Sequence, residues 1–267
     1  MEDFQVQIWL NEAFKHAEKE YPKESCGVVY VPMDKEDMVY YPCRNMAARD
    51  EHFFIRPQDY ADCEDRGKIL KIVHSHPNYP AKPSQADMAA CEKSGLPWVI
   101  LGWPSKTLKE IEPHGYVPPL EGREFSFGIL DCYTIVVDYY RDVLGIHIND
   151  HEREDHFWER NVDHYCDENF KKEGFVVVDF DNIQEHDLIF MALRSKVMNH
   201  VGVFLGFKSF GGRTNVPVML HHLQDRLSEK IVYGGFWHKN MRRILRHKKM
   251  FEDYHPGIAT LKHKFGA

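Results

Sequence analysis

From residue 12 to residue 20 apolar positions recur at helical spacing, with Ala13, Phe14 and Ala17 on one face, and Tyr21-Pro22 stops the run. The pattern then shortens. Residues 27–31, 38–41, 52–55 and 69–74 read as short extended segments, with a polar helical stretch over 58–66 between the last two. Ser84 opens a second helix that runs through Lys93 and ends at Gly95 and Pro97, and residues 98–102 and 108–111 read as further strands. No period of 20–50 residues repeats, which excludes a solenoid.

Paired prolines and two glycines in residues 115–123 predict an extended linker, poor in contacts. Beyond it, 131–144 is a strong helix in which Ile135, Val136, Tyr139, Tyr140, Val143 and Leu144 follow helical spacing and Gly145 is the stop. A further helix is expected over 155–172, and strands over 188–193, 201–207 and 218–222. Each half combines helix with several short strands. That predicts an α+β protein of two domains, 1–114 and 124–267, joined by 115–123.

With 43% of residues hydrophobic and 28% charged, the chain has material for a real core, which excludes wholesale disorder. No apolar run approaches the ~20 residues that a spanning helix needs. Met1, Glu2 and Asp3 do not begin a signal peptide, so the chain is expected to be made in a cytoplasm and not exported by that route. A net charge of −7 argues against general nucleic-acid binding. The one basic cluster, 239–249, is expected to be a solvated helix face, followed by a tail to residue 267. The six cysteines form no C-x-x-C pair, so neither a zinc ribbon nor a thioredoxin motif is present, and each is core, ligand or nucleophile. Cys26 reads as a small buried residue at the start of a strand.

Two constellations carry candidate chemistry. In the first, His74-Ser75-His76-Pro77 lies on an extended segment, where residues two apart face one side, so both imidazoles are offered to one ion. A proline-stiffened loop leads to the next helix, whose first turn holds Asp87. Two histidines and a carboxylate leave one position for water, the usual arrangement of catalytic zinc. Glu24, just before the 27–31 strand, is the candidate to take and return a proton. Ser84-x-x-Asp87 also reads as an ordinary helix cap.

The joint pattern of Glu24, then His74-Ser75-His76-Pro77, then Ser84-x-x-Asp87, with seven residues between His76 and Ser84, resembles the JAMM (MPN+, Mov34-type) metalloprotease motif. The resemblance covers about residues 5–114. It implies a mixed sheet with helices, Zn2+ held by His74, His76 and Asp87, Glu24 as general acid/base, and Ser84 as a polar stabiliser of the tetrahedral intermediate. The family cleaves isopeptide or peptide bonds.

In the second constellation, Cys132 begins the strongest helix, where the dipole is expected to favour thiolate. His200, at the head of an alternating strand, is the candidate base. A third polar group must orient it, and alternation sends one of His221 and His222 its way. Residues 122–237 resemble the NlpC/P60 cysteine peptidases, with a cysteine on a helix, His-Val-Gly on a strand and a polar residue on the next. This implies a papain-like fold, Cys132 as nucleophile, His200 as general base and His221 as orienting residue. Cys132-Tyr133-Thr134 replaces the frequent Cys-Ser-Gly, and a longer interval around Gly211-Gly212 separates the histidines. Such enzymes mostly cut peptidoglycan stem peptides.

His151-x-x-x-x-His156 is one residue too long for the helical zinc motif, so 150–155 is read as a solvated acidic stretch. The order of the two domains, with the wording Leu130-Asp131-Cys132-Tyr133 and Tyr233-Gly234-Gly235-Phe236-Trp237, resembles the tail assembly/tail tip protein K family of long-tailed bacteriophages. That resemblance implies a virion tail tip location after synthesis in the host cytoplasm, and other tail tip proteins as partners. The activities expected are a peptidoglycan endopeptidase and a zinc peptidase, acting in tail assembly and cell-wall penetration. The competing expectation is a structural tail tip subunit or assembly factor with shielded or inactive sites.

Overall fold

The computed structural model describes residues 2–252 except 48, 51, 152 and 166. Cys166 and residues 253–267, on which the expected tail falls, lie outside the described residues. The chain divides into two compact units, Met1–Val117 and Pro118–Ala267.

The first unit begins with α1 (Glu2–Glu20), longer at its start than the sequence pattern predicts. It continues with β1 (Cys26–Pro32), β2 (Val39–Cys43), α2 (Pro57–Arg66), β3 (Gly67–Pro77), α3 (Gln85–Ser94), β4 (Trp98–Trp103) and β5 (Thr107–Ile111). The five strands form one sheet in the order β2-β1-β3-β4-β5, antiparallel except for the parallel pair β3 and β4. Strand alternation divides the core. Val29, Val73, Val99 and Leu101 pack with Trp9 and Ala13 of α1, while Val28, Ile72 and Trp98 pack with Cys63 of α2 and Cys91 of α3. Cys26 is buried at the start of β1. The edge strand β5 is exposed from Thr107 to Glu110.

Residues 52–55 do not form the expected strand. Ile55 makes only an isolated bridge to Asn45. The Asn45 side chain takes the Phe54 amide and the His52 carbonyl, groups that a neighbouring strand would otherwise pair.

The second unit contains α4 (Thr134–Leu144), α5 (Asp167–Lys172), β6 (Phe175–Val178), β7 (Leu188–Met191), β8 (His200–Phe210), β9 (Arg213–His221), β10 (Glu229–Val232), α6 (Phe236–Asn240), β11 (Met241–His247) and α7 (Lys249–Glu252). Its six strands form an antiparallel sheet in the order β10-β9-β8-β7-β11-β6. Ile135, Val136, Tyr139 and Tyr140 of α4 join Leu188, Phe190, Val201, Val203 and Leu220 in one core, and Ile189, Met191, Phe204, Met219 and Ile244 form a second. Among the described residues no helix is long and apolar enough to cross a membrane.

Three expectations fail here. The helix over 155–172 is broken into a 3-10 turn at Phe157–Arg160 and α5, because His156 and Asn161 take left-handed conformations on either side of the turn. The basic run 239–249 is mainly β11, inserted between β7 and β6. Its Arg246 is 4% exposed and forms a two-pronged ion pair with buried Asp187, at 2.8 and 2.7 Å. Finally, the linker is not poor in contacts. The Arg123 side chain is fully buried, donates to the carbonyls of Pro118 and Pro119, and meets Asp138 of α4 at 2.6 Å.

Truncating one member of a buried ion pair leaves the other charge unpaired in low dielectric, at a cost of about 3–5 kcal/mol. Arg246→Met is expected to lower the stability of the second unit by that amount in a urea titration of the full chain, whereas replacing exposed Arg242 changes it by less than about 0.5 kcal/mol.

Candidate metal centre and thiol site

His74 and His76 lie two residues apart near the end of β3, and both rings point to one side of the strand. His74 is fully buried. Phe53 stacks on its ring at 4.6 Å between centroids and Trp98 meets it edge-on at 5.5 Å. The parallel pairing of β3 with β4 requires a crossover, and α3 is that crossover. Its first turn therefore starts beside the end of β3, which brings Asp87 to the histidines. Ser84 caps the helix: its hydroxyl accepts from the Asp87 amide and donates to Asp87 Oδ2, while its own amide donates to the same oxygen. The serine thus fixes the carboxylate that faces the imidazoles.

The His74 and His76 Nε2 atoms are 3.1 Å apart, and the Asp87 oxygens lie 3.1 Å from His74 Nε2 and 3.3 Å from His76 Nε2. The three edges cannot all be hydrogen bonds. If both Nε2 atoms carry protons directed at Asp87, the nitrogen–nitrogen edge is repulsive. If one lacks its proton, its edge to the carboxylate is repulsive. A cation at the centre resolves the conflict. Ligands at zinc distances of about 2.0–2.1 Å and tetrahedral angles are separated by about 3.3–3.4 Å, close to the spacing seen here. Burial acts to raise the Asp87 pKa. The charge of His74 and hydrogen bonds from His74, His76 and the Ser84 amide outweigh it and hold the carboxyl well below the usual range. Glu24 is buried just before β1, with Oε1 4.0 Å from His76 Nε2. Its backbone is fixed by bonds to the Asp50 carbonyl and from the Asn45 side chain. Among the described residues His74, His76 and Asp87 are the one group of three or more potential ligands arranged to hold an ion.

In the second unit, Asp131 and Cys132 lie in the turn that leads into α4 rather than in the helix. The Asp131 carboxylate accepts from the amides of Gly128, Tyr133 and Thr134. Cys132 is 8% exposed, and its sulfur lies 3.7 Å from the Tyr165 hydroxyl. Burial, then the Asp131 charge, pushes the thiol up to about 11, against opposing effects of the Tyr165 hydroxyl, the Val201 amide and Arg153. The Asp131 carboxylate already takes the amides of this turn, which opposes the expected dipole stabilisation of a Cys132 thiolate.

His200, the first residue of β8, places Nε2 2.9 Å from His221 Nδ1 on β9. Trp237 lies against His221 at 4.6 Å between ring centroids. Adjacent His222 faces away and its Nε2 meets the Arg226 carbonyl at 3.1 Å, so alternation selects His221 as the partner of His200. Opposite His221 in the ladder, Gly202 has no room for a Cβ, which would lie 2.9 Å from the Leu220 carbonyl and 2.7 Å from the Met219 sulfur. The thiol and His200 are not hydrogen-bonded to each other; Cys132 instead lies near the backbone of Val201, the residue after His200. Tyr165 and Arg153 were missed by sequence reading. Arg153 belongs to the 150–155 stretch expected to be solvated, yet its side chain is 2% exposed and pairs with Asp131. A lone cation in an acidic run was the only available signal.

Burial lowers the His221 and His222 pKa values to about 4, and that of His200 well below its ordinary value. The unfolded chain takes up these protons near pH 6.5 and the folded unit does not. Stability is therefore highest above pH 6.5 and falls as pH drops from 6.5 toward 4. Melting temperature is expected to decline across this window, and the slope is expected to be shallower in His222→Gln.

Residues 6–112 match the family of prokaryotic homologs of the JAB domain. A protein of Desulfitobacterium hafniense with a known solution structure is 26% identical to this chain, covering 39% of it and 86% of that protein with a TM-score of 0.32. The tail tip assembly protein K of Escherichia phage lambda is 31% identical over 202 residues, 76% of this chain and 94% of that protein. The tail tip assembly protein K of Escherichia phage N15 is 39% identical over 236 residues, 87% of this chain and 91% of that protein. With likeness of that degree over most of its length, the chain belongs to the tail tip assembly protein K family and carries a JAB-like domain in its first unit.

Proposed function

We propose that this protein brings two hydrolytic centres to the phage tail tip: a zinc-dependent JAMM peptidase in the first unit and an NlpC/P60-type cysteine peptidase in the second. The observation that carries the reading is the triangle of His74, His76 and Asp87 with Glu24 beside it. Those three side chains would hold Zn2+, which supplies hydroxide at neutral pH by lowering the pKa of bound water toward ~7. Glu24 takes the water proton and returns it to the leaving amine. Ser84 orients Asp87 through its two hydrogen bonds and stands next to the reacting carbonyl. The substrate is a peptide bond, cut during tail maturation.

At the second centre, the Cys132 thiol gives its proton to His200 as sulfur attacks a stem-peptide carbonyl. His221 holds the ring of His200 through the 2.9 Å contact. The departing amine takes the proton, and water releases the acyl group from sulfur, regenerating the thiol. This activity opens peptidoglycan crosslinks during entry, with other tail tip proteins as partners. The buried, neutral thiol favours a second reading for the free chain, in which this site is shielded until tail assembly or docking exposes it.

Two measurements test these assignments. Protein purified without chelator is expected to hold about one zinc per chain by elemental analysis, and Asp87→Ala to lose it. Metal-free wild type under zinc-retaining conditions removes the first assignment. Digestion of purified peptidoglycan is expected to release muropeptides with wild type and none with Cys132→Ala. Equal release by the two proteins rejects the thiol mechanism.

A further inference from the structure

The second unit buries a cation behind the sulfur that the thiol-peptidase reading does not use. Arg153 Nη2 lies 3.2 and 2.9 Å from the two Asp131 oxygens, and its Nη1 donates to Asp150 Oδ1 at 2.9 Å and to the His151 carbonyl at 2.6 Å. Its guanidinium sits over the Tyr133 ring, 4.6 Å from the centroid. Asp131 and Tyr133 flank Cys132 in sequence, so one side chain grips the residue on each side of the sulfur-bearing residue. The acceptor it grips is the carboxylate that also fixes the first amides of α4.

We infer that Arg153 is a positioning residue of the thiol site, clamping the Asp131-Cys132-Tyr133 turn and offsetting part of the Asp131 charge beside the sulfur. Asp131 fixes the turn before α4 through the Gly128, Tyr133 and Thr134 amides, yet a bare carboxylate next to the thiol opposes thiolate formation. A guanidinium paired with it leaves those hydrogen bonds in place and offsets part of the opposing field. The other groups acting on the sulfur are the Tyr165 hydroxyl and the Val201 amide, with Asp150 a second anion on the far side of Arg153. A lysine supplies the charge as a point and cannot span Asp131, Asp150 and the His151 carbonyl together.

The inference rests on the thiol-peptidase reading for its purpose, but its test does not require peptidase activity. In the full chain, the rate of Cys132 alkylation by iodoacetamide is followed against pH, with mass spectrometry of the Cys132 peptide. Arg153→Met is expected to move the midpoint upward by about one unit, a roughly tenfold slower reaction at pH 8. Arg153→Lys is expected to recover part of that loss, and Asp131→Asn in the Arg153→Met background to return the rate to within about threefold of wild type. A wild-type profile in Arg153→Met overturns the inference. If that variant does not fold, Arg153→Gln, which keeps a hydrogen-bond donor and removes the charge, decides: a raised midpoint supports charge compensation and an unchanged one refutes it. A shifted profile in a protein whose wild type releases no muropeptides supports the role of Arg153 while removing the peptidase reading.

Discussion

The parallel pairing of β3 and β4 is the constraint on which the first unit's site depends. Two parallel neighbours cannot be joined by a tight turn, so the chain must leave the end of β3, cross one face of the sheet and return. That crossover delivers the N-terminal turn of α3 to the end of the strand carrying His74 and His76. Pleat periodicity sets the imidazoles on one side, and the capping box sets Asp87 against them. Each contribution is ordinary backbone physics. Together they leave three donor atoms at separations that suit a small cation and no pattern of protons.

The second unit builds its polar cluster by a different rule. His200 and His221 lie on adjacent antiparallel strands and meet across the ladder because Gly202 allows the strands to approach there. Burial pushes the pKa values of both rings down and that of the Cys132 thiol up. Where the first site gathers candidate ligands, the second is buried, with the Asp131–Arg153 pair beside the sulfur-bearing turn.

The legible parts of the sequence were those set by local periodicity. The His-x-His spacing, the Ser84 cap, the helix stop at Gly145 and the alternation at His221 and His222 need only neighbouring residues, and the structure places these side chains as that periodicity requires. The helix expected over 155–172 fails locally, at left-handed His156 and Asn161, whereas other failures are long-range. Met241-Arg242-Arg243-Ile244-Leu245-Arg246-His247 has charges at positions a helix could expose, and only the vacancy between β7 and β6 makes it a strand. Arg123, Arg153 and Arg246 each read as surface cations because their partners Asp138, Asp131 and Asp187 lie 15, 22 and 59 residues away. The dipole expected to act on Cys132 was incomplete for a related reason: it was counted without the Asp131 carboxylate that takes the neighbouring amides.

Among the described residues no strand pairs with the outer edge of β5. A sheet margin with open amides and carbonyls templates the addition of foreign strands. Lys109 and Glu110 stand on that margin, and Lys71 ties down Glu110 from the sheet behind it. Any polypeptide zipping onto the rim must accommodate both charges as it docks. Haphazard fibril-like stacking along this edge is thereby disfavoured.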